Sequence, residues 1–358
     1  MKYGLMNYNY GREKYFMDIN FGDEIQSIAA SNFLPKIDYF IDREKIASND
    51  FPKEEKIKLI MNGWYMHDQS QWPPASNIIP LLTSMHIMPK KKYFIKRIFS
   101  EENREYLKKY GPIGCRDLGT LELFEKHNIP AFFSGCMTLT LQKNENVKKQ
   151  DFILCVDIRD DIVDRIKRIT KRDVYCITPA FNYPLLSPKE KFQYAKCFLN
   201  AYQSAAAVLT TRLHTAMPCL ALETPVLLID DSNGADIRFA GLGDLVRKSS
   251  SDYYIKNLDL FDVNDIKPNS NDYIVYRNKL IEQCEAFIGC KQQKYSPLFG
   301  NVSNELQNIK NLEVLGSVSN RFKEKKILYR FGSKDLVNAS IKRSYYKTRN
   351  MIRKIKKY

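Results

Sequence analysis

Short apolar runs alternate with longer amphipathic stretches along most of this chain. The runs predict buried strands, and the stretches with apolar residues three and four positions apart predict helices. In the first half, the pattern predicts strands at residues 3–6, 39–42, 58–61, 81–86 and 131–134, and helices at about residues 23–33 and 118–127. Strands that alternate with helices in this way indicate the parallel sheets of an α/β protein.

The polar segment at residues 142–150 (QKNENVKKQ) divides this pattern, and we interpret it as a hinge between two domains. A second α/β series follows, with predicted strands at residues 152–156, 174–177, 207–210 and 225–229 and helices at 161–169, 187–206 and 215–222. We therefore expect an α/β fold of two Rossmann-like lobes, residues 1–145 and 150–320, with a cleft between them. Ligands of open parallel sheets bind beyond the carboxyl ends of the strands, which directs the search for chemistry to those ends.

The net charge of +15 is concentrated at one end of the chain. Residues 321–358 carry 14 Lys or Arg and two acidic residues, whereas the preceding 320 residues carry 42 basic and 39 acidic ones. A nearly neutral body argues against a nucleic-acid-binding protein, which needs positive charge along its contact surface. The basic, partly helical tail predicts contact with an anionic membrane surface, with solvated disorder as the alternative.

Cysteine usage and hydropathy restrict the metal chemistry and the cellular location. The eight cysteines form no CxxC pair and only four histidines are present, so we expect no metal site. Most of the cysteines lie in apolar runs, which is typical of reduced core thiols. The sequence has no apolar stretch of the roughly 18 residues that a spanning helix needs, and its first residues lack the apolar segment of a signal peptide. We therefore expect a cytoplasmic protein, peripheral at the inner face of the plasma membrane through its tail.

The segment TTRLH at residues 210–214 carries the strongest chemical signal. It follows a predicted strand and precedes a helix, so Arg212 and His214 fall at a carboxyl strand edge beside a helix N-terminus, which favours anions. Arg212 offers a planar fork for phosphate or carboxylate, and His214 can transfer a proton near neutral pH. Together they suit an anionic phospho-substrate. The alternative is an exposed Arg212 and a packing role for His214, because R-x-H is a short motif.

Two further strand ends supply candidate residues. Arg116 and Asp117 follow a strand-like run and begin a helix. Arg116 is a candidate second anion ligand, and Asp117 is a candidate helix cap or catalytic carboxylate. Ser134 and Gly135 end the next strand, where a glycine lets the backbone approach a ligand closely. An ordinary cap and an ordinary turn are the alternative interpretation of these positions.

Acidic and aromatic side chains earlier in the chain are candidates for binding sugar hydroxyls and sugar rings. Asp23 follows a turn glycine and can cap the helix after it, bind hydroxyls or act as a base. Asn62 comes directly after a predicted strand, as a ligand loop would. Trp64 and His67 lie close by, and aromatic faces commonly stack on sugars. Packing beneath a Pro-rich loop is the alternative for these aromatic residues.

Together these segments resemble the polysaccharide pyruvyl transferase family. The matching stretches, in the family's order, are GDEIQSIAASNFLP (residues 22–35), IMNGW (60–64), PIGCRD (112–117), SGCMTLTL (134–141) and TTRLHTAMPCLALETPV (210–226). The resemblance implies two Rossmann-like lobes similar to one class of glycosyltransferases, the glycosyltransferase-B-like arrangement. It also implies phosphoenolpyruvate as co-substrate, without a further cofactor, and a pyruvate ketal on a sugar as product.

The resemblance also implies roles for individual residues. It links donor binding and catalysis to Arg212, Leu213 and His214, and donor binding to Arg116. We expect His214 to transfer the proton and the arginines to hold the donor. The remaining candidates are carboxylates that assist catalysis (Asp23 and Asp117), groups on the donor side (Ser134 and Gly135) and acceptor-binding side chains (Asn62, Trp64 and His67).

We therefore expect a pyruvyltransferase that uses phosphoenolpyruvate to form a ketal on two hydroxyls of a sugar in a surface polysaccharide or its lipid-linked precursor. The alternative is a nucleotide-sugar-dependent glycosyltransferase of the same glycan pathway, since two-lobed enzymes of that class share the expected architecture. A nucleic-acid-binding protein and a scaffold of a glycan-assembly complex are two further possibilities. The near-neutral body argues against the first, and the presence of both Arg212 and His214 argues against the second.

Overall fold

The computed structural model describes residues 1–8, 18–48, 51–88, 92–182 and 187–294. The predicted basic tail at residues 321–358 and the predicted end of the second lobe lie outside this range. Within it, no helix is long and apolar enough to cross a membrane. The elements of the first half are β1 (Lys2–Asn7), β2 (Asp18–Asn20), α1 (Phe21–Ser31), β3 (Tyr39–Asp42), β4 (Ile57–Tyr65), β5 (Ile78–Ile87), α2 (Lys92–Ile98), α3 (Glu101–Tyr110), β6 (Ile113–Cys115), α4 (Leu118–Lys126) and β7 (Ala131–Phe133).

The second half continues the alternation of strands and helices. Its longest helix begins as its sequence predicts, because Ser187 and Glu190 form a capping box around a proline at the first helical turn. The elements of this half are β8 (Phe152–Val156), α5 (Asp160–Ile169), β9 (Asp173–Ile177), β10 (Ala180–Asn182), α6 (Pro188–Ser204), β11 (Ala207–Thr210), α7 (Leu213–Ala221), β12 (Val226–Ile229), β13 (Lys248–Ser249), α8 (Ser251–Tyr254) and α9 (Ile274–Ile288).

Two parallel sheets form the framework. The first has the strand order β3-β1-β4-β5-β6-β7 and the second the order β13-β12-β11-β8-β9. Every neighbouring pair within each sheet is parallel. A short antiparallel pair, β2 with β10, joins the two halves. The prediction of an α/β fold with two Rossmann-like lobes is confirmed.

Helix α1 connects the cores of the two lobes. All of its residues are buried, which a helix achieves only when other elements cover it on every side. The ring of Phe21 packs against Tyr194 and Phe198 of α6, at centroid separations of 5.9 and 5.5 Å. The apolar residues of α1 belong to one continuous core with those of β8, α6 and α7. The two lobes therefore share a hydrophobic core.

Two later segments hold the lobes together. Helix α9 follows the second sheet in the chain but reaches the first, where Nζ of Lys58 donates to the carbonyl of Phe287 at 2.6 Å. The predicted hinge at residues 142–150 connects the two sheets and contains neither helix nor strand. Nζ of Lys149 in this segment donates to the carbonyl of Ala205 at 3.0 Å. The connection is thus attached to the second lobe.

Strand β4 and the cysteines show where the structure departs from the sequence pattern. β4 continues to Tyr65, so Asn62 and Trp64 lie inside a strand rather than in a loop after it. Cys176 is exposed on β9, unlike the core thiol that its apolar neighbours predict. The fully buried cysteines, all with free thiols, are Cys115, Cys136, Cys155, Cys219 and Cys284.

We expect the substitution Phe21→Ala to lower the free energy of unfolding by about 3–5 kcal/mol, because it removes a fully buried ring from the core that both lobes share. Urea denaturation followed by circular dichroism measures the change. Tyr93→Ala, at a site that is 79% exposed, is the control and should change stability by less than about 0.5 kcal/mol. Equal effects of the two substitutions would contradict the proposed importance of α1.

Candidate active site

The carboxyl ends of the two sheets face a cavity of about 420 Å³. This volume is within the range of small-molecule binding sites. Side chains from both halves of the chain meet in it, as the predicted cleft requires. The lining residues are Asn20, Asp23, Trp64, His86, Met88, Arg116, Thr211, Arg212, Leu213, His214, Arg238 and Phe239.

Three neighbouring strands of the first sheet bring side chains to the cavity. Trp64 of β4 and His86 of β5 are partners in the parallel register. Arg116 follows β6, and its backbone N–H donates to the carbonyl of Met85 at 2.8 Å. The alignment therefore places an indole, an imidazole and a guanidinium along one sheet edge, where parallel sheets bind their ligands.

Strand β11 brings the RLH motif to the opposite side of the cavity. Arg212 is the N-cap residue of α7, and Leu213 and His214 form its first turn. The N–H groups of a first turn have no acceptor within the helix and favour anions. Nε of Arg212 donates to Asp157, which follows the neighbouring strand β8. This pair fixes the guanidinium of Arg212 at the sheet edge and leaves it partly exposed.

The imidazole of His214 lies where the two lobes meet. It packs against Gly22 at the start of α1, where an added Cβ would come within 2.5 Å of Cβ of His214. Nε2 of His214 is 3.1 Å from Nη1 of Arg116, and its Nδ1 is 3.9 Å from Oδ1 of Asp23. Because a guanidinium only donates hydrogen bonds, Nε2 is the acceptor, which assigns the proton of the neutral ring to Nδ1. The RD and RLH motifs thus meet in one site.

Positive charge dominates the surroundings of His214. Burial lowers the pKa of its imidazole well below the ordinary value of 6.5, and the guanidinium groups of Arg116, Arg238 and Arg212 lower it further. Arg238 is itself paired with Asp236, whose Oδ1 accepts from its Nε at 2.9 Å. The imidazole is therefore neutral near pH 7. An anion in the cavity would offset the guanidinium charges and raise this pKa.

A second imidazole lines the cavity and is paired with a buried carboxylate. Nδ1 of His86 is 2.7 Å from Oδ2 of Asp117, and both side chains are almost fully buried. Oδ1 of Asp117 accepts from the backbone N–H of Thr120 at 2.9 Å, so Asp117 caps α4 as predicted. Burial lowers the pKa of His86; Arg116 lowers it further and Asp117 opposes the shift. Nε2 of His86 has no hydrogen-bond partner among the described residues.

Residues 20–233 match the family model described as polysaccharide pyruvyl transferase. The match spans more than half of the chain and includes Arg116, Arg212 and His214. The chain belongs to the polysaccharide pyruvyl transferase family. Membership makes it a transferase with a polysaccharide acceptor, and it confirms the resemblance that the sequence motifs indicate. Arg238 lies outside the matched range.

Two solved structures are distantly similar to this chain. One is protein KP1_0663 from Klebsiella pneumoniae subsp. pneumoniae NTUH-K2044, which is 15% identical, with 66% of this chain and 86% of that chain covered and a TM-score of 0.41. The other is the UDP-GlcNAc 2-epimerase of Methanocaldococcus jannaschii in complex with UDP-GlcNAc and UDP. It is 12% identical, with 88% of this chain and 99% of that chain covered and a TM-score of 0.34. With TM-scores this low, neither structure bears on the ligand of this chain. A comparison with curated proteins gives no match.

In this family member, Ser134 and Gly135 are not among the residues that line the cavity. Oγ of Ser134 donates to the carbonyl of Cys115 at 3.0 Å. Gly135 faces Leu139 and the side chain of Tyr276 on α9. Helix α9 covers the turn that they form, and their approach to a donor stays a prediction.

One of the three predicted acceptor-binding residues, Trp64, lines the cavity. Asn62 is fully buried inside β4, where its Nδ2 donates to the carbonyl of Gln26 at 3.2 Å. His67 is exposed and lies edge-on to Trp64, with ring centroids 4.5 Å apart. The prediction that Asn62 lies in a loop after the strand is wrong because β4 runs past it, and His67 is not among the residues that line the cavity.

The two predicted catalytic carboxylates occupy different places. Asp23 lines the cavity but does not cap α1, because the side chain of Asn20 accepts the first-turn N–H instead. Oδ1 of Asp23 accepts from Nε2 of Gln26 at 3.3 Å. Asp117 does not line the cavity, but it contacts His86, which does. Within the described part of the chain, no group of three or more His, Cys, Asp or Glu residues is arranged to hold a metal ion.

The sequence pattern does not identify His86, Arg238 or Phe239 as site residues. A usable signal exists for His86, because it ends a predicted strand and ligands bind beyond such ends. Arg238 and Phe239 lie in a short helical turn after β12. No motif marks this turn, so its approach to the RLH segment is visible only in the folded chain.

We expect the His214 imidazole to titrate well below pH 6.5. Since its pKa is lower in the folded than in the unfolded protein, its contribution to stability is present above about pH 6.5 and is lost as the pH falls. Arg116→Gln should raise the pKa by removing the nearest positive charge. NMR titration of labelled histidine measures both pKa values, and the His214→Gln variant assigns the signal. Arg159→Gln is the control, because Arg159 is an exposed arginine outside the cavity. Titration of the unsubstituted protein at or above 6.5 would contradict this electrostatic description.

Proposed function

We propose that this chain transfers the pyruvyl group of phosphoenolpyruvate onto two hydroxyls of a sugar, in a surface polysaccharide or its lipid-linked precursor. The supporting observation is that Arg116, Arg212 and His214 meet in one cavity of a member of this family. Phosphoenolpyruvate carries a carboxylate and a phosphate on a three-carbon frame. Guanidinium groups on opposite walls of the cavity can bind two anionic groups that are separated by only three carbon atoms.

The donor is held from both lobes. In this proposal the phosphate binds at Arg212 and the first turn of α7, where a guanidinium and helix N–H groups converge. The carboxylate binds Arg116, and Arg238 supplies a third positive charge at the cavity wall. Binding separates Arg116 from His214 and frees Nε2 of the imidazole for proton transfer.

The charge of the donor prepares His214 for its role. The cavity without ligand holds the imidazole neutral because three guanidinium groups surround it. Phosphoenolpyruvate brings up to three negative charges, which favour the protonated imidazole. Binding of the donor therefore converts His214 into a general acid, which can protonate the methylene carbon, C3, of phosphoenolpyruvate.

The reaction balances with two sugar hydroxyls and one phosphate. Protonation of C3 makes C2 electrophilic, and the oxygen of the first hydroxyl bonds to C2. The bond between C2 and the phosphate oxygen then breaks, and the second hydroxyl oxygen bonds to C2 to close the ketal. Of the two hydroxyl protons, one replaces the proton delivered to C3 and one leaves with phosphate. Arg212 stabilises the departing phosphate.

The acceptor sugar lies against Trp64 in this proposal. The indole is held rigidly, because Nη1 of Arg43 donates to the Trp64 carbonyl at 3.0 Å and its guanidinium lies 4.8 Å from the ring centroid. A fixed aromatic face is a suitable platform for a sugar ring. The basic tail, outside the described residues, would bring the enzyme to the membrane that carries a lipid-linked acceptor.

Incubation with phosphoenolpyruvate and a panel of aryl and lipid-linked glycosides tests the function. We expect release of phosphate and a product about 70 mass units heavier than its acceptor, the mass of pyruvate less water. The thermal shift of the protein on adding each donor distinguishes phosphoenolpyruvate from sugar nucleotides as the donor class. Stabilisation by phosphoenolpyruvate but not by sugar nucleotides supports the proposal, and the reverse result identifies a nucleotide-sugar-dependent glycosyltransferase.

We expect His214→Gln to lower kcat by about 10²–10⁴-fold, the usual effect of removing an acid–base group. Initial rates of phosphate release measure this loss, and circular dichroism checks that the fold is retained. The matched control is His127→Gln, since His127 packs on Phe99 away from the cavity and its loss should leave kcat unchanged. A His214→Gln enzyme within about tenfold of the unsubstituted rate excludes the catalytic role.

A further inference from the structure

Three buried nitrogen atoms on cavity-lining residues have no hydrogen-bond partner among the described residues. They are Nε1 of Trp64, Nε2 of His86 and Nε of Arg116. Buried polar groups normally form hydrogen bonds, so buried nitrogens without one beside a cavity indicate a ligand that accepts or donates there. Of the three, Nε of Arg116 also has an ionic contact, 4.0 Å from Oδ2 of Asp117. Trp64 and His86 lie on the adjacent strands β4 and β5 of the first lobe, and Arg116 directly follows β6, the next strand. If Arg116 binds the donor, the nitrogens of Trp64 and His86 remain for the acceptor.

The position of the His86 ring is tightly fixed. Its Nδ1 is 2.7 Å from Oδ2 of Asp117. Asp117 is held in turn by the backbone N–H and the hydroxyl of Thr120, each 2.9 Å from its Oδ1. A carboxylate can only accept here, so Nδ1 carries the proton and Nε2 presents its lone pair. This tautomer is the one that a base in the cavity requires.

We propose that His86 is the base that accepts the proton of the first attacking sugar hydroxyl, and that Asp117 is its positioning residue. This inference rests on the proposed pyruvyl transfer. Nε2 of His86 takes the proton as the sugar oxygen bonds to C2, while the electrons of the C2–C3 double bond take a proton from His214. His86 then gives its proton to the phosphate as the bond between C2 and oxygen breaks. The second hydroxyl gives its proton to His214, so both imidazoles return to their starting states.

The charges around His86 support this role. The groups that face it are Arg116 after β6, Asp117 at the start of α4, Arg238 after β12, and His214. Burial and the two arginines outweigh Asp117, so the pKa of the imidazole lies below its ordinary value and the ring is neutral at pH 7. A neutral ring with a free Nε2 is ready to accept a proton.

The first experiment tests the pair without any acceptor. NMR of ¹⁵N-labelled histidine at pH 7.5 should show His86 protonated at Nδ1 and unprotonated at Nε2. Asp117→Asn keeps an equally good helix cap but presents an amide N–H to Nδ1, so the ring should change to the Nε2–H tautomer. An Nε2–H tautomer in the unsubstituted protein would overturn the proposal.

The second experiment measures turnover with an acceptor from the glycoside panel. His86→Gln and Asp117→Asn should each lower kcat by about 10²–10⁴-fold, while the Kd of phosphoenolpyruvate, from calorimetry, changes by less than about threefold. Added imidazole should restore part of the activity of His86→Ala, which a purely structural role would not allow. His127→Gln is the matched control.

The outcomes separate this inference from the proposed function. An unsubstituted enzyme that forms product while His86→Gln stays within about tenfold of its rate overturns the role of His86 alone. An unsubstituted enzyme that makes no ketal with any acceptor rejects pyruvyl transfer, and the tautomer measurement then decides whether the histidine–carboxylate pair exists as described.

Discussion

The contact between Arg116 and His214 is the interaction on which the rest of the site depends. The two residues come from different lobes and lie 98 positions apart in the chain, with their nitrogen atoms 3.1 Å apart. A guanidinium tolerates an imidazole at this distance only if the ring is neutral, because two positive charges in a buried site repel strongly. The approach of the lobes therefore sets the protonation state of His214. A bound anion that separates the pair also changes that state.

Helix α1 makes this contact possible. Gly22 allows the imidazole of His214 to rest directly on the α1 backbone, and no larger residue fits there without displacing it. The same helix holds Glu24, whose carboxylate is 3.3 Å from Nζ of Lys191 on α6. Burial raises the pKa of Glu24 to about 7. The charge of this second polar contact between the lobes therefore depends on pH near neutrality. A helix buried on every side thus joins the cores and positions the imidazole of His214.

The sequence predicts the positions of the main site residues because they follow strands. Arg116, Arg212 and His214 all follow parallel strands, and parallel topology brings such residues to the sheet edge. The sequence could not predict their pairing across the lobes, since that depends on how α1 and α6 pack. The sequence does not predict that α9 covers the turn at Ser134, because α9 has a weak apolar pattern and lies beyond the recognisable motifs. The sequence does not predict the pairing of His86 with Asp117, because their distance is fixed only by folding.

Apart from Arg116, which the proposal assigns to the donor from the first lobe, the groups that suit the donor and those that suit the acceptor come from different lobes. The second lobe contributes Arg212, Arg238 and a helix N-terminus, which are groups suited to an anionic donor. The first lobe contributes Trp64 and His86, which suit a neutral, hydroxyl-rich acceptor. In the proposed reaction, ketal formation consumes two hydroxyls, and the first hydroxyl loses its proton in the same step in which His214 delivers one to C3. A single imidazole cannot act as acid and base in that one step. Two imidazoles on opposite walls resolve this conflict, because each accepts one hydroxyl proton at a different stage of the reaction.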